Sequence, residues 1–213
     1  LLALPEAAEL GDPAAAVDLQ SEHGVATTHG IRPERYLILN TIGYNERRRS
    51  RFREAAAEFE KSYNLSRKEG KELKKELAKV PDEKQAELEH QAHDNLRWQG
   101  SAATQIGTVL SYLGDTVAAL NWSSRGLALR HELDIPDQIA YALAAQGKIQ
   151  RELSQLGEAR ASFLAAQEIW RDLDAQRDVT AMETELGWAD AISGLLDTAE
   201  AHFEVASATC AKE

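Results

Sequence analysis

Glu87, His90 and His93, in the stretch ELEHQAHD, are the side chains whose types and spacing come nearest to a chemical site. Glu-x-x-His sets a carboxylate and an imidazole one helical turn apart, as carboxylate-bridged di-iron bundles do. Such a centre needs a second pair and two further glutamates, all facing a bundle core. This sequence has one pair, on a very polar segment, so a solvated helix face is expected there. No metal and no cofactor are expected. The sequence also has no glycine-rich phosphate loop, no nucleophile elbow and no Cys-x-x-Cys. The chain reads as a non-enzyme.

Charge and cysteine usage bound the partners. Cys210 is the only cysteine, so no internal disulfide can form and a reducing, cytoplasmic setting is expected. A net charge of −11 argues against a general nucleic-acid binder. No stretch approaches the roughly 18 apolar residues of a membrane span. The opening LLALPEAAELG is too short and too acidic for a secretory leader, and a start without Met fits an excerpt or a processed product. Arg47, Arg48, Arg49, Arg51 and Arg53 crowd one short stretch, whereas 12 acidic residues face four basic ones from Gln155 onward. The arginines read as a solvated turn, or as a site for an acidic partner such as the acidic end of another copy.

The elements that would position any site follow from a repeat. Gly43, Gly107, Gly147 and Gly187 serve as origins. Twelve residues after each stands Ala55, Ala119, Ala159 or Ala199; sixteen after come Phe59, Ser123, Phe163 and Phe203. Seven after stand the turn formers Ser50, Gly114, Ser154 and Gly194, and nineteen after stand Ser62, Gly126, Ala166 and Ala206. Helix formers dominate and β-branched runs are absent, so the fold class is all-α. Small residues let two antiparallel helices approach, and the aromatic one turn beyond the alanine fills the gap beside them. Ser or Gly at the midpoint either caps one helix or starts the next. One such hairpin cannot bury its apolar face alone, so the units must stack.

Ile42-Gly43 with Ala55 and Phe59, and Leu186-Gly187 with Ala199 and Phe203, resemble the tetratricopeptide repeat, which couples a Leu-Gly pair to a later Ala-x-x-x-Phe. Ser123 departs from that pattern, as does Gln146 before Gly147, and the aromatic that precedes Leu-Gly in the family is missing. The last three glycines are 40 residues apart, longer than the 34 of the standard unit. The resemblance implies a right-handed α-solenoid of stacked antiparallel helix pairs. Its units are a partial repeat over 1–30 and full repeats over 32–70, 101–134, 136–174 and 176–211. The interval from Gly43 to Gly107 is 64 residues, 24 more than the others. The excess, over 71–100, reads as two lengthened helices forming a projecting hairpin with its tip near Val80-Pro81; a flexible charged loop is the alternative.

In that family the first helix of each unit lines a concave groove. Carried over, this places Asn40, Tyr44, Arg47, Arg48, Gln105, Thr108, Tyr112, Lys148, Arg151 and Trp188 along a peptide-binding groove. The lysine–asparagine clamp of chaperone-binding members is absent, since Asn40 and Tyr44 occupy those slots. The function implied is a protein-interaction scaffold that holds a peptide or protein segment, without nucleic acid or membrane. The alternative is a ligand- or peptide-sensing segment of a larger bacterial signalling or transcription regulator. The apolar side of the last helix, or the hairpin arm, is expected to pair two copies into a homodimer, which light scattering over a dilution series reports.

Overall fold

The computed structural model describes residues 33–210, and the partial repeat expected over 1–30 lies outside them. Eight helices fill them: α1 (Pro33–Arg48), α2 (Phe52–Leu77), α3 (Asp82–Tyr112), α4 (Thr116–Leu133), α5 (Pro136–Glu152), α6 (Leu156–Asp172), α7 (Gln176–Ile192) and α8 (Leu196–Cys210). Among the described residues there is no strand. Each helix packs antiparallel on the next, and alternate helices α2–α4–α6–α8 back the row α1–α3–α5–α7. The fold is an α-solenoid of stacked helix pairs.

The turns explain why the helices stop where they do. Ser50, Gly114, Ser154 and Gly194 all adopt positive φ, between 59° and 79°. The amide after each reaches back five residues, as in Arg51 N to Glu46 O at 2.9 Å and Leu195 N to Asp190 O at 2.9 Å. That is the Schellman closure of a helix C-terminus. The midpoint residue therefore ends the first helix of each pair and does not open the second. Asp134 and Asp174 take the same backbone shape between pairs. A test needs only two glycines. Nothing lies within 4 Å of a Cβ built on Gly114 or Gly157, but only Gly114 has positive φ. Gly114→Ala is expected to lower stability by about 1–2 kcal/mol through backbone strain. Gly157→Ala, in the first turn of α6 with helical backbone, is expected to raise it by up to about 0.5 kcal/mol. Urea midpoints of the two variants must move in opposite directions.

The repeat glycines sit at helix crossings. A Cβ on Gly147 would stand 2.6 Å from the Phe163 ring, and one on Gly187 would stand 2.7 Å from Phe203. The pair α3–α4 has Ser123 in the ring's slot, and its helices close further. There a Cβ on Gly107 would meet backbone, at 2.9 Å from Ala119 O and 3.0 Å from Ser123 N. Apolar burial divides into two clusters. One joins Phe59, Tyr63, Ile106 and Val109, and the other joins Phe163, Trp170, Met182 and Leu186. Trp122 packs edge-on to Tyr63 with ring centres 4.8 Å apart.

Helices α2 and α3 run to 26 and 31 residues, against 16 for α1 and 18 for α4. Their excess lengths form an antiparallel arm that turns at 78–81, where Pro81 precedes the first turn of α3. Leu73 is buried in the arm, and Leu77, Val80, Leu88, Ala92 and Leu96 are half-buried. Tyr36 of α1 braces its root, donating to Glu69 and accepting from Asn95 Nδ2 at 3.1 Å. Burial first, and then the Glu69 hydrogen bond, raise the Tyr36 phenol pKa, so it stays a donor. Lys74 Nζ lies 3.7 Å from Glu132 and ties the arm to α4.

Candidate functional site

The first helices of four successive pairs converge on a cleft of about 400 Å³. Arg47 comes from α1; Thr108, Ser111 and Tyr112 from α3; Tyr141, Lys148, Arg151 and Glu152 from α5; Asp178, Met182 and Glu185 from α7. The spacing is that of one helix face: Tyr141 and Lys148 are seven residues apart, as are Asp178 and Glu185.

Charge in the cleft is arranged around Glu185. Lys148 Nζ lies 3.1 Å from one carboxylate oxygen and Arg151 Nη2 lies 3.3 Å from the other. Both cations are thus oriented before any ligand arrives, which lowers the entropic cost of using them. Arg151 Nε has no partner. Arg47 lies over the Tyr44 ring, 5.4 Å from its centre. Tyr112 is exposed yet braced by a stacked Phe52, with ring centres 5.0 Å apart. Thr108 Oγ1 donates to Thr104 O at 3.0 Å, so its lone pairs remain for an incoming donor. Such a surface offers hydrogen-bonding groups beside exposed aromatic rings.

Of the ten residues the sequence assigned to a groove, Arg47, Thr108, Tyr112, Lys148 and Arg151 meet in this cleft. Asn40 and Gln105 are each 1% exposed and lie beneath the surface. Close packing of α1 on α3 covers their slots. Tyr44 is half-buried edge-on against Phe59, with ring centres 5.3 Å apart, and burial raises its phenol pKa. Trp188 repeats that contact on Phe203 at 5.3 Å but stays exposed, outside the cleft. Arg48 is exposed on the α1–α2 turn, where Glu46 pairs instead with Arg49 at 3.6 Å and Arg51 at 3.4 Å. Tyr141 escaped the sequence reading, although its distance of seven residues from Lys148 was a usable signal.

A second cleft, about 390 Å³, lies between the arm and the end of α4 and is lined by Lys71, His93, Gln99 and Leu129 among others. Glu87, His90 and His93 are exposed on α3. Among the described residues, no group of three His, Cys, Asp or Glu side chains is placed to hold a metal ion. Among them, too, no helix is long and apolar enough to cross a membrane. At the far end, Leu195, Leu196 and Val205 are exposed around α8.

No family model matches the chain, and no curated protein sequence does. Solved structures do match. The apo form of RapI superimposes with a TM-score of 0.69 at 13% identity, covering 94% of this chain and 48% of RapI. The Rap conjugation gene regulator of plasmid pLS20, in complex with the Phr* peptide, gives a TM-score of 0.60 at 14% identity and covers 81% and 42%. A Rap protein complexed with competence and sporulation factor gives 0.51 at 16% identity and covers 93% and 58%. BtubC from P. vanneervenii also matches, at 0.51 and 15% identity. The chain spans about half the length of the Rap proteins it matches, and what it shares with them is the fold of stacked helix pairs.

Proposed function

We propose that this chain is a non-catalytic interaction scaffold that holds a peptide or protein segment in the cleft between α1, α3, α5 and α7. The observation that carries the reading is the convergence of Arg47, Tyr112, Tyr141, Lys148 and Arg151 from three different helix pairs on one cleft. Preset cations beside exposed rings suit a flexible chain better than a small rigid ligand, because successive side chains meet successive helices. Two of the Rap structures of similar fold were solved with bound factors, one of them a Phr* peptide. The net charge of −11 disfavours nucleic acid as the partner.

The same cleft also suits a sensing segment of a larger bacterial signalling regulator. Its favouring observation is that the Rap proteins of similar fold are about twice as long as this chain. The full-length gene product, if it carries further domains, selects this version of the proposal.

A displayed random-peptide library, panned on the wild-type chain and on a Tyr112→Ala, Lys148→Ala, Arg151→Ala variant, tests the cleft. Hot-spot truncations of this kind cost about 2 kcal/mol or more, so selected peptides should bind the variant about 30-fold more weakly. Equal binding to both chains rejects the cleft. Loss only on replacing 71–100 with a short turn moves the binding surface to the arm.

A further inference from the structure

The cleft between the arm and α4 joins a basic row to apolar side chains. Arg67, Lys71 and Lys74 of α2 line it at the i, i+4, i+7 spacing of one helix face, and all three are exposed. Among the described residues Arg67 and Lys71 have no ion pair. Lys74 has Glu132 of α4 at 3.7 Å, with side-chain exposures of 73% and 54%. A pair so open to water holds its partners weakly, so Lys74 stays available to another carboxylate. Leu96 of α3 and Leu129 of α4, each half-buried, line the same cleft.

Helix α8 carries the complementary pattern. It is the last helix of the described chain and packs on α7, which leaves its other side in water. Asp197, Glu200 and Glu204 recur there at i, i+3, i+7; all are exposed, and none has an ion pair among the described residues. Beside them Leu196 is 68% exposed and Val205 52%. At 3.6 residues per turn, these acidic and apolar side chains share one half of the helix surface. The acidic row and the basic row each span seven residues, about 10 Å of helix.

We propose that α8 of a second copy of this chain docks in the arm cleft. Its acidic row lies along Arg67, Lys71 and Lys74, and its exposed apolar side chains cover Leu96 and Leu129. A helix cannot reach the cleft of its own chain, because α5, α6 and α7 stand between α4 and α8 in the stack. A net charge of −11 makes two copies repel in most orientations, so the basic row selects the one approach that is attractive. Apolar burial supplies the affinity and the charge rows set the register. The homodimer expected through the last helix or through the arm becomes a single contact that uses both. Two different surfaces meet in it, so copies join head to tail and either close or extend into a row. The contact does not depend on what the cleft of Lys148 and Arg151 holds.

Charge reversal on the full chain tests the contact, read by sedimentation over a dilution series. Wild-type mass should rise with concentration, and added salt should weaken the association by screening the rows. Lys71→Glu with Lys74→Glu in one variant, and Glu200→Lys with Glu204→Lys in another, should each weaken self-association about 30-fold or more. All four positions are exposed, so helix content by circular dichroism should be unchanged. An equimolar mixture of the two variants should associate again, because the unaltered α8 of one meets the unaltered cleft of the other. Glu200→Gln with Glu204→Gln is the milder variant if a reversal fails to fold, and it should weaken association less. A wild-type chain that stays monomeric throughout overturns the proposal. So does a mixture that stays monomeric, or association lost on reversing α8 but kept on reversing the cleft, which would seat α8 elsewhere.

Discussion

Phe163→Ala lowers the stability of the chain by about 3–5 kcal/mol, among the largest single-residue effects expected in this fold. Phe163 is fully buried in the cluster shared by α5, α6 and α7. Its ring lies against Gly147, where a Cβ would stand only 2.6 Å from Cε1 and 2.8 Å from Cδ1. Removing the ring leaves a cavity at the crossing, and the cost is set by how far α5 and α6 can close into it. The same geometry makes Gly147→Ala destabilising by about 1–3 kcal/mol, because the new methyl and the ring cannot share the space. The two changes are therefore coupled. In the Phe163→Ala background the Gly147→Ala methyl enters the vacated volume, and alanine's helix preference of about 1 kcal/mol over glycine then counts in its favour. Urea denaturation of the four chains reads the sign. Additive single effects would sink the account of the repeat, since contacting residues are expected to depart from additivity.

Asp190→Ala is expected to cost about 2–3 kcal/mol, concentrated at one end of the solenoid. Asp190 is 2% exposed; its Oδ1 accepts from Arg160, and its Oδ2 lies 3.5 Å from His202 Nε2. The other nitrogen of His202 lies 2.6 Å from Glu183 Oε2, and Gln167 Nε2 donates to Glu183 Oε1 at 2.6 Å. These five side chains tie α6, α7 and α8 through part-buried polar contacts. Breaking a buried ion pair typically costs about 3–5 kcal/mol, but the Arg160 side chain is 39% exposed and recovers part of that from water. Asp190→Asn keeps an oxygen for Arg160 and should cost less than Asp190→Ala. Helix α8 stacks on α7 alone in the described chain, so its backbone amides should lose exchange protection first. Hydrogen exchange that weakens uniformly from α1 to α8 would contradict a local role for the network.

The legible part of the fold was the part carried by short contacts. Gly147, Ala159 and Phe163 lie within sixteen residues, inside one hairpin, and their sizes state the crossing directly. The same holds for the turns, where Ser or Gly at the seventh position announces a left-handed residue. The lining of the cleft was half legible. Slot arithmetic brought Arg47, Thr108, Tyr112, Lys148 and Arg151 to the cleft, yet it treated Asn40 and Gln105 alike although both are buried. A slot says which way a side chain leaves its helix. It does not say how near the neighbouring unit comes.

By itself the sequence determined the all-α class, the 40-residue rhythm and the helix pairs, because each rests on helix propensity and on small-to-large contacts inside one unit. Tertiary structure alone decided the rest. Glu185 meets Lys148 and Arg151 from 34 to 37 residues away. Arg130 passes beneath Gly100 and Thr104 to reach Tyr141. Ser123 and Gly126 let α4 close on α3 where other pairs are held apart by a phenylalanine. These contacts depend on how the units stack, and stacking is set by the summed shapes of whole helix faces, which no single spacing in the chain records.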